Sequence, residues 1–145
     1  MPHSYVSNLI HCVFSTKARR RLIQPEFEGR VWAFMGGIAR TNGMRALAVG
    51  GIEDHLHVLL SLPGTVPVAK GVQLIKAGSS KMIRATFTRD FEWQEGYGAF
   101  SIGVSQVKAT VAYIKNQRAH HKRVDFREEF RTFLKKHGIT PEGLP

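Results

Sequence analysis

Apolar residues change their period several times along this chain, and each change marks an element. Over residues 5–15 they alternate, with Tyr5, Leu9 and Val13 on one side and Val6, Ile10, Cys12 and Phe14 on the other, as in a strand. Pro25 then stands where a first helical residue belongs. Phe27, Val31, Phe34, Met35 and Ile38 recur at helical spacing until Asn42-Gly43 stops the run. Residues 44–51 and 55–61 read as adjacent strands joined at Glu53-Asp54, and Pro67 opens a second helix reaching about residue 88. A polar and aromatic stretch, Trp93-Gln94-Glu95-Gly96-Tyr97-Gly98, leads into a short strand near 100–104. A third helix is predicted over about 105–121. A fourth starts at Asp125, where Asp125 and Glu128 have capping-box spacing; Phe126, Phe130, Phe133 and Leu134 form its apolar stripe and Gly138 ends it. Strand, helix, strand, strand, helix, strand is the split βαβ order of a ferredoxin-like antiparallel sheet, an α+β fold, here with additional C-terminal helices. No repeat, low-complexity tract or linker divides the sequence, so residues 1–145 read as one domain.

On the second of the adjacent strands Leu56, Val58 and Leu60 supply an apolar face, which leaves His55, His57 and Leu59 on the other. Two imidazoles one residue apart on a strand point the same way and suit a single metal ion. The competing reading is a pair of hydrogen-bonded structural histidines. Two imidazoles under-coordinate a divalent ion, and the favoured third protein ligand is a side-chain oxygen. Gln117 offers one. On the third helix Tyr113, Gln117 and His120 lie close together around the axis, beside an apolar stripe of Val107, Val111 and Ile114. An ordinary amphipathic helix with a boundary tyrosine is the alternative there. A phenol of ordinary pKa, near 10, is a weak nucleophile at neutral pH, so attack by Tyr113 on a phosphodiester needs a metal to polarise phosphorus. Such an attack leaves a phosphotyrosine on one DNA end and a free 3′-hydroxyl on the other. It conserves the bond energy for rejoining.

The formal net charge of +10 favours polyanionic partners, nucleic acid first. Lys17, Arg19, Arg20 and Arg21 form a basic loop suited to a DNA backbone or hairpin, or simply a solvated one. Lys70, Lys81 and Arg84 fall on the side of the second helix opposite Val68, Val72, Ile75, Met82 and Ile83, and Lys115 lies on the outer side of the third. Trp93, Tyr97 and Phe100 suit either base stacking or packing. Asp54 either orients a histidine or shapes the turn. His120, His121 and His137 read as surface residues, with His120 the nearest of them to the site. The single cysteine, Cys12, supports no internal disulfide framework. The first residues lack a signal-peptide layout, and no apolar run approaches a membrane span, so a cytoplasmic location is expected.

Asp54-His55-Leu56-His57-Val58-Leu59-Leu60, followed by Tyr113-Ile114-Lys115-Asn116-Gln117, resembles the single-tyrosine HUH transposases. These are the transposase A proteins of bacterial insertion sequences and their REP-associated relatives. The likeness extends to residues 8–17, to the helix spanning 74–83 and to Trp93-Gln94-Glu95-Gly96-Tyr97, nearly the whole chain. It implies metal-dependent cleavage and rejoining of single-stranded DNA near hairpins at element ends. His55, His57 and Gln117 would be the metal ligands, Mg2+ or Mn2+ the ion, Tyr113 the nucleophile and a homodimer the working form. Two readings compete with it. One is a non-catalytic or domesticated hairpin-binding module on the same fold; the other is a metal-dependent hydrolase of a small phosphorylated molecule.

Overall fold

The computed structural model describes residues 3–140; Met1, Pro2 and residues 141–145, the ends of the expected domain, lie outside them. The alternating segments form four antiparallel strands, β1 (Leu9–Ser15), β2 (Arg45–Ile52), β3 (His55–Ser61) and β4 (Gly98–Ile102), in the spatial order β2-β3-β1-β4. Helix α1 (Pro25–Thr41) links β1 to β2, and α2 (Val68–Thr86) links β3 to β4. The fold is the α+β ferredoxin-like sheet. Pro25 occupies the first turn of α1, and Gly43, at φ 75°, takes the left-handed conformation just beyond its end.

One face of the sheet carries Ile10, Cys12, Phe14, Leu56, Val58 and Leu60. It packs against Val31 and Met35 of α1 and Val72, Ile75 and Ile83 of α2, and these residues form the main core. The other face is covered by α3 (Val107–Lys115), α4 (Gln117–His120) and α5 (Phe126–Lys136). Ile114 of α3 packs on Ala48 and Leu59, while Leu134, Phe126, Phe130 and Phe133 of α5 pack around Val13 and Phe100. Asp125 caps α5, its Oδ1 accepting from the Glu128 backbone N–H at 2.8 Å. Among the described residues no helix is long and apolar enough to cross a membrane.

Three expected boundaries change. The first strand begins at Leu9 rather than at residue 5, because its neighbours β3 and β4 end at Ser61 and Ile102, the partners of Leu9. Past Leu9 one more bond forms, the Leu62 N–H donating to the Asn8 carbonyl at 3.0 Å, and Tyr5 beyond it is 91% exposed. The last strand, by contrast, starts earlier than expected, at Gly98, and ends at Ile102. The expected third helix is three pieces: a 3-10 turn (Val104–Gln106), α3 and α4. The interruption falls at Asn116 (φ −100°, ψ 21°), whose N–H is shared between the carbonyls of Ala112 and Tyr113. The side-chain amide of Gln117 also leans on the Tyr113 carbonyl, at 3.5 Å.

Helix α3 lies so close to β2 that a Cβ on Gly50 would collide with the carbonyl oxygen of Ile114. Gly50→Ala is therefore expected to lift the tyrosine helix from the sheet and cost about 1–3 kcal/mol. Thermal denaturation checks this; an unchanged midpoint would show that the close approach is not needed.

Candidate metal and nucleophile site

The pleat of β3 sends the fully buried His55 and His57 to the α3–α5 side. His55 donates through Nδ1 to Asp54 Oδ1 (2.8 Å) and through Nε2 to Gln117 Oε1 (3.0 Å). Burial alone would lower its pKa, but the bonds to Asp54 and Glu129 raise it instead. His57 is the opposite case. Burial brings its pKa down to about 4, leaving a neutral ring with one proton to give. It accepts at Nδ1 from His11 Nε2 (2.8 Å) and donates through Nε2 to Glu129 Oε1 (2.9 Å). His11 is itself brought down to about 3, first by burial and then by His57, and Phe133 packs edge-on against its ring.

Glu129, on α5, is the centre of this arrangement and only 3% exposed. Its Oε1 lies 2.9 Å from His57 Nε2, 3.5 Å from His55 Nε2 and 3.2 Å from His121 Nε2. Its Oε2 accepts from the Tyr113 hydroxyl and from Gln117 Nε2 (3.3 Å), with His120 Nε2 at 3.2 Å. Burial would raise the carboxyl, yet the imidazoles of His121, His55 and His57 around it hold it far below the usual range. The Tyr113 phenol is pushed up, first by burial and then by the Glu129 carboxylate, and so remains protonated. A cleft of about 280 Å³ is lined by Tyr113, His120, Val124, Glu128, Glu129 and Phe133 among others.

Thus His55, His57, Gln117 and Tyr113 come together within one chain, and Asp54 bonds His55. The anticipated cations divide. The loop of Lys17, Arg19, Arg20 and Arg21 runs beside the β2–β3 turn: Thr16 N–H donates to the Asp54 carbonyl, and Leu22 N–H to the Glu53 carbonyl. Three of its cations already pair with acids, Lys17 with Glu92, Arg20 with Asp90 and Arg21 with Glu53. Ala18 and Arg19 have left-handed backbones (φ 55° and 53°), and the loop is tied down by Ala18 N–H donating to Gln94 Oε1. Lys70, Lys81 and Arg84 are exposed on α2, on the opposite side of the sheet from the histidines, and Lys115 is exposed on α3. Trp93 and Phe100 are packing residues: Trp93 packs edge-on against Phe14 and donates through Nε1 to Ser79 Oγ (3.0 Å), while Phe100 stacks on Phe133. Tyr97 alone of the three is exposed.

Three site residues were not anticipated. His121, expected at the surface, has a side chain only 5% exposed, because it follows the buried Ile114 and Gln117 by seven and four residues and shares their helical face. Glu129 shares a helical face with Phe126 and Phe133, and a carboxylate in an apolar stripe is the signal that marks it. His11 carries a weaker signal, falling on the same strand face as Leu9 and Val13.

The family model described as "Transposase IS200 like" matches residues 4–117. The chain belongs to this IS200-like transposase family. The transposases for insertion sequence element IS200 from Salmonella typhimurium and Salmonella typhi are each 29% identical to it over 115 residues, covering 74% of this chain and 74% of theirs. Two solved structures share the fold. A transposase-like protein of Deinococcus radiodurans R1 superposes with TM-score 0.65 at 21% identity, covering 81% of this chain and 96% of its own. A REP-associated tyrosine transposase bound to a REP hairpin gives 0.62 at 16% identity, covering 86% and 74%. The family match stops at Gln117, so His120, His121 and Glu129 lie beyond it. Membership makes the chain a transposase, an enzyme class that cuts DNA.

The two depressed histidines also set a pH dependence. Below about pH 6.5 an unfolded histidine takes up a proton that folded His57 refuses down to about 4 and folded His11 down to about 3. The stability they contribute is complete above pH 6.5 and is lost as the pH falls through that window. His55, shifted upward, works the other way. The contribution of His11 is read by difference: in a chelator, the stabilisation that wild type has over His11→Asn should be smaller at about pH 5 than at about pH 7. A difference between the two proteins that grows on acidification would contradict the assignment.

Proposed function

We propose that this chain cleaves and rejoins single-stranded DNA at insertion-sequence ends through a 5′-phosphotyrosine on Tyr113, in a metal-dependent reaction. The observation that carries this reading is a convergence: the Tyr113 hydroxyl and the Nε2 atoms of His55 and His57 all approach one buried carboxylate group, Glu129. The donor set suits a divalent ion. Two imidazoles turn Nε2 inward while their Nδ1 atoms are held by Asp54 and His11, and Gln117 adds a side-chain oxygen within 3.0 Å of His55. His55, His57 and Gln117 would hold Mg2+ or Mn2+, which when bound offsets charge on the scissile phosphate. Tyr113 attacks phosphorus, forming the Tyr–phosphate bond as the 3′-oxygen leaves. The phenol proton lost from Tyr113 is balanced by the proton that oxygen takes up as a 3′-hydroxyl, and the reverse step rejoins the strand.

The substrate we assign is single-stranded DNA with a hairpin at the element end, in keeping with the hairpin on the REP-associated relative. Lys17, Arg19, Arg20 and Arg21 flank the Asp54 end of the site and are assigned to its backbone. Lys70, Lys81, Arg84 and Lys115 are assigned to more distant phosphates. The working form is a cytoplasmic homodimer, with Tyr113 serving the histidines of its own subunit, as the contacts within one chain favour.

End-labelled single-stranded DNA carrying candidate element ends, incubated with Mn2+ and resolved on denaturing gels, should yield a protein–DNA adduct. Tyr113→Phe should abolish the adduct and spare hairpin binding; full cleavage by that variant would remove Tyr113 as nucleophile. His55→Ala should lose cleavage far more than DNA affinity. Tight hairpin binding with no adduct from folded, metal-loaded protein would favour a domesticated binding module instead.

A further inference from the structure

We infer that Glu129 is an anionic metal ligand delivered to the histidine pair by α5, so that the ion fastens the C-terminal helix to the sheet. This rests on the metal-dependent reading above and adds to it a residue outside the segment the family model matches. The argument begins with charge. His55, His57 and Gln117 offer nitrogen and amide oxygen but no anion, and hard divalent ions favour carboxylate oxygen. Glu129 supplies it where the imidazoles converge. One donor atom from each of His55, His57, His121 and Glu129 falls within 4.8 Å of all the others, the spacing of ligands around one ion.

Two further observations point to a cation. Among the described residues no lysine or arginine pairs with Glu129, although the chain carries a net +10; its neighbours are histidines, Tyr113 and Gln117. Apart from imidazole protons, no cation among the described residues faces this buried carboxylate, and a divalent ion held by the same atoms would supply that charge. Next to it the buried His121 Nε2, though 3.2 Å from Glu129 Oε1, is not aligned for a hydrogen bond and has no other partner. A donor nitrogen left unpaired inside the cluster is what an absent ligand leaves behind.

The competing role for Glu129 is a plug that fills the site and must leave before an ion enters. The two roles predict opposite effects. Mn2+ binding to the full-length, chelator-stripped chain, measured by calorimetry and by the metal-induced rise in melting temperature, decides between them. Glu129→Gln should bind Mn2+ at least about 10-fold more weakly if Glu129 is a ligand, and as tightly or more tightly if it is a plug. Glu129→Cys provides an arm that a merely structural role would not move: a thiolate ligand should shift the Cd2+-over-Mn2+ preference about 10-fold or more toward Cd2+ relative to wild type. That arm decides alone if the glutamine variant does not fold. Mn2+ should also slow amide exchange across α5 in the wild type. Undiminished Mn2+ affinity in Glu129→Gln, or no change of preference in Glu129→Cys, overturns the assignment. If adducts then still depend on metal, the transposase reading survives; a wild-type chain that binds no divalent ion ends both.

Discussion

Strand β3 is buried on both faces, and the architecture turns on its alternation. Leu56, Val58 and Leu60 enter the core shared with α1 and α2, while His55, His57 and Leu59 enter the layer under α3 and α5. A slip of one residue would put two imidazoles into the aliphatic core and three aliphatic chains into the polar site. The register resists such a slip on both sides. β1 pairs Val13 with His57 and Ser15 with His55, and β2 pairs Gly50 with His57. The same pairing decides what sits over the histidines, because Gly50 beside His57 leaves room for the α3 backbone at Ile114.

The second sheet face is thus a small core with a charged centre. Phe126, Phe130, Phe133 and Leu134 supply the apolar area that holds α5 down, and Glu129 is carried in with them. Such a charge adds little to stability on its own, since its desolvation offsets much of what the hydrogen bonds return. Its effect is on arrangement: one carboxylate fixes the orientation of two strand histidines, a tyrosine and a glutamine from three separate elements. Outside it, Arg118 reaches both Glu28 (3.0 Å) and Glu53 (2.6 Å), tying α4 to the start of α1 and to the β2–β3 turn.

Period and punctuation made the sheet, both crossover helices and the cap at Asp125 legible, because alternation and helical spacing are local properties. The His55–His57 pair and the Tyr113–Gln117 pair were legible for the same reason. What escaped depends on contacts across many residues. The break at Asn116 comes from competition for the Tyr113 carbonyl and leaves no mark in the helical pattern. His121 follows Gln117 by four residues and Ile114 by seven, so it keeps their inward face, but the carboxylate it meets there, Glu129, arrives with α5. Glu129 was visible as a misfit among phenylalanines, but only the packing of α5 over β3 gives that misfit a partner.

The family model's match ends at Gln117, a dozen residues before the carboxylate at which the site converges. Up to that point this chain builds a housing: a sheet, two imidazoles and a tyrosine on a helix. The electrical character of the chamber is completed afterwards, by a carboxylate that α5 carries in. A chain that matches this one only through the glutamine would share the housing and not, by that match, the charge inside it.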